Sequence, residues 1–227
     1  MSKTMHHAAS VRPERGDAMD AFLSRSGWHR AERKALAADA SFRRYERVAH
    51  ENGVAVLMDA PPPWEDVRPF IAVSGHLKRY QLSVPEILAA DVDAGFLLLE
   101  NFGDASFTKL LRDHPEREGE LYAAATEALL EIYHASQAEQ SPAVAPYDSA
   151  VYLREVALLA EWFLPQIHGL KHAEALRDVW LDIWRRILAD AGLKQECLVH
   201  RDYHADNLFW LADRAGHRAV GMLDYQD

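Results

Sequence analysis

The hydrophobic and polar residues of the first hundred positions follow the pattern of short β-strands. In residues 54–59 the side chains alternate with the period of two that is typical of a strand, which predicts Val54, Val56 and Met58 on one face. A hairpin turn signal, Glu51-Asn52-Gly53, precedes this segment. Such patterns predict strands at residues 34–40, 42–49, 54–59, 85–91 and 95–100. They also predict helices over residues 17–26 and 64–79.

Beyond residue 101 the apolar residues recur with the period of amphipathic helices. The first predicted helix, over 116–138, has its apolar face at Leu121, Ala125, Ala128, Leu129, Ile132 and Tyr133. The second has it at Tyr152, Val156, Leu159, Phe163 and Ile167. The third has it at Leu176, Val179, Trp180, Ile183, Trp184, Ile187 and Leu188. We interpret this last stripe as core. Short strands are predicted again at 197–199, 208–211 and 218–223.

A block of strands followed by a block of helices predicts an α+β protein with two lobes and a cleft between them. The polar break Asn101-Phe102-Gly103-Asp104 marks the predicted boundary between the lobes. We expect a flexible N-terminus at residues 1–16, an N-terminal lobe at 17–101 and a C-terminal lobe at 102–227.

Composition and charge narrow the possible functions. The formal net charge of −10 at pH 7 argues against nonspecific binding to nucleic acid or to an anionic membrane surface. No apolar run approaches the roughly 20 residues that span a bilayer, and the N-terminus lacks the apolar segment of a signal peptide. The single cysteine, Cys197, excludes an intrachain disulfide, fits a reducing compartment and is predicted to be buried. The expected location is the cytoplasm, and the oligomeric state stays open.

The residues that could do chemistry are concentrated near the end of the chain. Between two apolar, strand-like pieces lie His200, Asp202, His204, Asp206 and Asn207. Asp224 follows soon after, again at the end of an apolar run. Burying such groups without partners costs on the order of 1–3 kcal/mol each, so we expect them to face a cleft.

This set of residues has the components that phosphoryl transfer requires. The reaction needs a carboxylate that orients the attacking hydroxyl and accepts its proton, oxygen ligands for magnesium, and positive groups around the phosphates. Asp202 is the candidate for the carboxylate. Asn207 and Asp224 are the candidate magnesium ligands, since Mg²⁺ prefers hard oxygen donors and retains several waters.

The motif also carries a family resemblance. His200-Arg201-Asp202, then Asn207, then Asp224 after an apolar strand resemble the catalytic loop and metal-binding aspartate of the protein-kinase superfamily. The additional histidine between Asp202 and Asn207, His204, makes this motif similar to that of the aminoglycoside phosphotransferase and choline kinase branch. Segments 39–45, 58–62, 96–103 and 223–227 resemble most closely the bacterial anomeric kinases of N-acetylmuramate and N-acetylglucosamine used in cell-wall recycling. The resemblance covers residues 18–227.

This resemblance implies a protein-kinase-like fold, with a small antiparallel sheet as N-lobe and a mainly helical C-lobe. It implies ATP and Mg²⁺ as cofactors and a small-molecule acceptor, with an amino sugar favoured. Asp202 would be the catalytic base, and His200 and His204 would hold the loop by hydrogen bonds. The nucleotide would be bound by Ser41, Arg43, Arg44, Glu100, Asn101 and Phe102. Strand alternation allows only one of the two arginines to face the cleft.

Two departures from the family pattern change these expectations. The third strand of the family usually carries a lysine that pairs with the nucleotide phosphates, and Met58 stands at that position here. We therefore expect Arg43 or Arg44 to replace it, with Glu65 or Asp66 as the acid that would pair with the cation. Family members also continue with further helices beyond the position of Asp227, so the chain is expected to be truncated.

Several alternatives stay open at this point. A metal-dependent hydrolase would use the alternating His200, Asp202, His204 and Asp206 as ligands. A noncatalytic, nucleotide-binding pseudokinase would explain the missing lysine. Among phosphotransferases, the acceptor could also be an aminoglycoside, choline or another small alcohol, because fold does not determine substrate.

Overall fold

In a computed structural model of the chain, the described residues are 13–36, 42–138, 144–168, 170–194 and 196–225. They form a five-stranded sheet, then a mainly helical part that ends in a two-stranded hairpin. The strands are β1 (Glu32–Ala35), β2 (Arg44–His50), β3 (Gly53–Asp59), β4 (Ile87–Asp91), β5 (Phe96–Glu100), β6 (Leu208–Trp210) and β7 (Val220–Met222). The helices are α1 (Pro13–Arg25), α2 (Arg68–Arg79), α3 (Phe107–Asp113), α4 (Glu118–Ala138), α5 (Ser149–Leu158), α6 (Leu164–His168) and α7 (Leu170–Ala191).

The large sheet is antiparallel throughout, with the strand order β1-β2-β3-β5-β4. Strands β2 and β3 form the hairpin that the Asn52-Gly53 turn predicts, with His50 opposite Gly53. Gly53 has a φ of +116°, a conformation that a residue without Cβ adopts at low cost. Four of the five predicted strands are therefore present within two residues of their predicted bounds, whereas the first, predicted at 34–40, is observed at Glu32–Ala35; residues 37–40 lie outside the described chain.

Both faces of the sheet are covered, which the alternation in β3 did not predict. Ala55 and Leu57 pack under α1 in a cluster with Met19, Phe22 and Leu23. Met58 packs on the opposite face, whereas Val54 is exposed. Helix α1 begins at Pro13, so residues 13–16 are helical rather than part of the expected flexible N-terminus; residues 1–12 lie outside the described chain.

Helix α2 connects the sheet to the helical part through one continuous hydrophobic cluster. It begins at Arg68, four residues later than predicted, and Pro69 lies in its first turn, where the missing N–H is no loss. Its buried residues Phe70, Val73 and Leu77 belong to the same cluster as Met58. The members contributed by the later part of the chain are Phe107, Leu121, Ala125, Ala128, Ile132, Leu198, Leu208, Val220, Met222 and Tyr225.

The predicted helices of the second half are present, but their apolar stripes are buried only in part. In α4 the predicted face is buried at Leu121, Ala125, Ala128 and Ile132, while Leu129 and Tyr133 are exposed. The second predicted helix consists of α5, a π-helical turn at Leu159–Phe163 and α6. The interpretation of the α7 stripe as core is wrong for four of its members, because the structure exposes Leu176, Val179, Ile183 and Ile187. None of the described helices combines the length and apolar character needed to cross a membrane.

Two smaller expectations are corrected just before the loop at residues 200–207. Residues 197–199 form no strand, and Cys197 is exposed rather than buried. Only Leu198 of this segment packs into the core.

Candidate active site

The polar loop at residues 200–207 is tied to the surrounding helices by side chains of its own. The hydroxyl of Tyr203 donates to the carbonyl of Ala125 on α4 at 2.7 Å. The guanidinium of Arg201 pairs with Glu155 on α5 at 3.1 Å. Arg201 also has a φ of +63°, which is uncommon for a residue with a side chain and marks a sharply turned backbone. The loop is therefore held from α4 and α5.

Asn207 links two parts of the candidate site. Its Nδ2 donates to the carbonyl oxygen of Asp202 at 3.0 Å and lies 3.4 Å from Nε2 of His204. Its own carbonyl accepts from the N–H of Leu223 at 3.0 Å, next to Asp224. These contacts bring Asp202, Asn207 and Asp224 to one end of the β6–β7 hairpin, in which Leu208 pairs with Met222.

The neighbouring Tyr225 anchors the segment that carries Asp224. Its ring stacks on Phe70 with the centroids 5.1 Å apart, and its hydroxyl lies 2.6 Å from Oγ of Ser74, both on α2. Burial raises the pKa of the Tyr225 hydroxyl far above its usual value, so it stays protonated and can donate to Ser74, whose own hydroxyl donates to the carbonyl of Phe70. Asp224 itself has a φ of +60°, so its backbone is held in the left-handed region.

The two adjacent arginines at the start of β2 lie on opposite faces of the sheet. Arg43 is almost buried and directs its guanidinium to Glu65 and Asp224, with Nε 3.3 Å from Glu65 Oε2 and Nη1 3.7 Å from Asp224 Oδ1. In the register of β2 and β3, Arg44 lies opposite Asp59, and the side chain of Asp59 accepts a hydrogen bond from Arg15 of α1. Opposite residues in an antiparallel pair share a face, so Arg44 faces α1. Only Arg43 therefore lies beside the candidate metal ligands.

The donor set at the hairpin end fits a magnesium ion. Because Nδ2 of Asn207 donates to the carbonyl of Asp202, its side-chain oxygen would be the atom that binds a metal. Asp224 offers a carboxylate that is partly open to solvent. An amide oxygen, a carboxylate and waters are the ligands that Mg²⁺ accepts beside nucleotide phosphates. A bound magnesium would neutralise charge on those phosphates.

The alternating histidines and aspartates of the loop do not converge on a metal. In the described part of the chain, no three His, Cys, Asp or Glu side chains come together as a possible ligand group. His200 is buried, whereas Asp206 is exposed and accepts a hydrogen bond from Thr108 on α3 at 2.5 Å. This geometry does not favour a metal-dependent hydrolase that uses these four residues as ligands.

The segment at residues 100–102 has structural contacts of its own. The N–H of Glu100 donates to the carbonyl of Glu86, and its carboxylate pairs with Arg214. The ring of Phe102 packs on Gly221, where a Cβ would come within 2.7 Å of it. Nucleotide contacts by Glu100, Asn101 and Phe102 stay a prediction. Ser41, the remaining predicted nucleotide contact, lies outside the described residues.

His200 supports the loop mainly by packing. Its ring meets Tyr203 and Tyr225 edge-on, with centroids 5.1 and 6.3 Å apart. Burial lowers the pKa of His200 from 6.5 to about 4, although the nearby Asp202 carboxylate acts in the opposite direction. The residue is therefore neutral in the native state above about pH 4.

This shift predicts a pH dependence of stability. Between pH 6.5 and about 4 the unfolded chain protonates His200 and the native state does not, so the free energy of unfolding should fall as the pH falls. One such group contributes a slope of up to about 1.4 kcal/mol per pH unit. Urea unfolding of wild type and His200→Asn across this range should show a shallower slope in the variant. The exposed His134→Asn is the control, and a slope shared by all three proteins would contradict the assignment.

Two supporting residues were not predicted from the sequence. Arg201 was noted only as part of the motif, and nothing in the sequence indicated its partner Glu155, 46 positions away. Tyr225 was not singled out as an anchor. The signal that could have found it is a large aromatic directly after a candidate metal ligand, at the end of a buried strand.

Comparison with known proteins places this chain in a family. The model of the phosphotransferase enzyme family matches residues 32–227. An N-acetylmuramate/N-acetylglucosamine kinase of Caulobacter vibrioides is 34% identical, over 94% of this chain and 68% of its own length. The kinase of the same name from Pseudomonas aeruginosa is 39% identical, over 83% of this chain and 53% of its own length. The chain thus spans between about half and two thirds of the length of these relatives.

Solved structures agree with the fold. Choline kinase from Cryptosporidium parvum superposes with a TM-score of 0.54 at 13% identity, covering 93% of this chain and 64% of its own. The gentamicin complex of APH(2")-IIa gives a TM-score of 0.52 at 15% identity, covering 96% and 71%. The predictions of a kinase-like α+β fold, of a phosphotransferase and of a resemblance to the amino sugar kinases are confirmed. The chain belongs to the phosphotransferase enzyme family.

Proposed function

We propose that the protein transfers the γ-phosphate of ATP to a hydroxyl of an amino sugar. The observation that carries the proposal is the junction made by Asn207, which hydrogen-bonds Asp202 on one side and the segment of Asp224 on the other. In this proposal Asp202 orients the attacking hydroxyl and accepts its proton. Asn207 and Asp224 hold the magnesium that accompanies the nucleotide.

The proposed acceptor is the anomeric hydroxyl of N-acetylmuramate or N-acetylglucosamine, in a cell-wall recycling role. Support comes from relatives named for these two sugars, at 33% to 39% identity. The kinase-like neighbours named for choline and gentamicin are 13% and 15% identical and support the fold alone. We also propose a cytoplasmic location, on the basis of the single cysteine and the cytoplasmic source of ATP.

The nucleotide part of the proposal rests on where the sheet meets the helical part. The adenine would contact the backbone at residues 100–102, where β5 ends at Glu100 beside the central strand β3. The phosphates would lie near Arg43, and a contact with Ser41 stays a prediction. ATP is the proposed donor and Mg²⁺ the proposed metal.

The proposal predicts acceptor-dependent release of ADP. The purified complete gene product, supplied with ATP and Mg²⁺, should turn over with N-acetylmuramate or N-acetylglucosamine and not with choline or an aminoglycoside. Direct detection of the sugar phosphate by mass spectrometry identifies the product. Turnover with choline or the aminoglycoside alone would replace the amino sugar. ATP binding without turnover with any acceptor would favour the pseudokinase instead.

A further inference from the structure

Arg43 is a nearly buried cation placed between two carboxylates. Its side chain is 10% exposed, while those of Glu65 and Asp224 are 16% and 23% exposed. Glu65 comes from the segment before α2 and Asp224 from the segment after β7. The guanidinium therefore bridges the sheet side of the structure and the candidate metal site.

The family resemblance implies a phosphate-binding lysine at position 58, and the residue there is uncharged in this protein. Met58 is 1% exposed and packs in the large hydrophobic cluster, together with Leu97 and Val67. On the strand next to it, Tyr45 lies directly opposite Met58, and Arg43 is two residues before Tyr45. Because side chains two residues apart share a face, Arg43 extends on the Met58 face of the sheet.

Glu65 fixes the direction of this arginine. One carboxylate oxygen faces Nε of Arg43 at 3.3 Å, and the other accepts from the N–H of Phe42 at 3.1 Å. The carboxylate thus holds both the side chain of Arg43 and the backbone beside it. Asp66, the other candidate acid, instead pairs with Arg68 on the surface.

We propose that Arg43 binds the nucleotide phosphates in place of the missing lysine, and that Glu65 is the residue that positions it. This inference rests on the proposed function. A guanidinium has five N–H donors in a planar fork, so its terminal nitrogens can contact phosphate oxygens while Nε stays in its ion pair with Glu65. Asp224, 3.7 Å from Arg43, would hold the magnesium that accompanies the same phosphates. The cation thus reaches the phosphates from β2 rather than from β3.

The first test measures nucleotide affinity by calorimetry with Mg²⁺ present. Arg43→Gln should weaken the binding of ATP and ADP about 10- to 100-fold, as expected for the loss of charged hydrogen bonds, and leave adenosine affinity unchanged. Arg43→Lys keeps the charge between the two carboxylates, so its loss of ATP affinity should be smaller. Arg44→Gln is the matched comparison on the other face of the strand and should bind ATP as wild type does.

The second test separates positioning by Glu65 from a general structural role. Glu65→Gln keeps an acceptor for the N–H of Phe42 but removes the charge that faces Arg43. It should weaken ATP binding several-fold. In a double-mutant cycle, adding Glu65→Gln to Arg43→Gln should lower the ATP affinity little further, because the two residues act through one contact. A merely structural Glu65 would give additive losses of ATP affinity.

The outcomes distinguish this inference from the proposed function. If wild type turns over ATP and Arg43→Gln and Arg43→Lys both bind ATP normally, the inference is wrong and the kinase stands. A loss in Arg44→Gln with normal binding in Arg43→Gln would also overturn it. If wild type shows no ATP turnover with any acceptor, the proposed function is wrong. Thermal unfolding of each variant checks that losses of affinity are measured on folded protein.

Discussion

Asp202→Asn is expected to lower turnover by about 10²- to 10⁴-fold while the protein stays folded. The substitution keeps size and hydrogen bonding but removes the carboxylate that would accept the proton of the attacking hydroxyl. The backbone of Asp202, which accepts from Asn207 and donates to the carbonyl of His200, is unchanged by it. The measurement is kcat with the best acceptor at saturating ATP.

The control for this prediction is Asp213→Asn. Asp213 is exposed in the turn after β6, close in sequence but outside the candidate site. It should leave kcat within about twofold of wild type, since surface substitutions have small effects. ATP affinity should survive in Asp202→Asn. Near-normal turnover in that variant would remove Asp202 from the mechanism.

Asp224→Ala is expected to abolish the magnesium dependence of ATP binding. Even partners that only support a metal ligand change affinity by 10- to 100-fold, so loss of the ligand itself should cost at least about 10-fold in the affinity for ATP with Mg²⁺. Binding of ATP with the metal chelated should change much less. Calorimetric titrations with Mg²⁺ and with EDTA give the comparison directly.

A second variant separates loss of the metal ligand from strain in the backbone at position 224. Asp224 has a φ of +60°, and asparagine tolerates this conformation better than alanine does. Asp224→Asn therefore keeps the turn while replacing the charged ligand with a weaker one, and it should fall between wild type and Asp224→Ala. Unchanged affinity for ATP with Mg²⁺ in both variants would contradict the metal assignment.

Most of the strands and the loop at residues 200–207 could be predicted because their signals are local. The Asn52-Gly53 turn and the spacing of Asp202 and Asn207 are written within a few consecutive residues, and the structure has them where they were expected. The choice between Arg43 and Arg44 was not local. It depends on which face of β2 meets Asp224, about 180 positions later, and on the cover that α1 provides for the other face.

The burial of the later helices shows a second limit of sequence patterns. Periodicity indicates which residues share one side of a helix, but not what covers that side. In α7, Leu188 is buried while Val179 and Ile183 of the same stripe are exposed. Cys197 shows the same limit for a single residue, because a preference for burial is an average over proteins and not a property of one position.

The contact between Ser74 and Tyr225 has a consequence for how relatives of this protein can diverge. Removing one partner of a buried hydrogen bond leaves the other unsatisfied, whereas replacing both by apolar groups of similar shape is nearly neutral. Ser74→Ala alone would leave the buried hydroxyl of Tyr225 without this partner, whereas Tyr225→Phe alone leaves Ser74 its bond to the carbonyl of Phe70. Ser74→Ala should therefore be accepted far more readily together with Tyr225→Phe than singly. In evolutionary terms, positions 74 and 225 should covary among homologues, although 151 residues separate them in the chain.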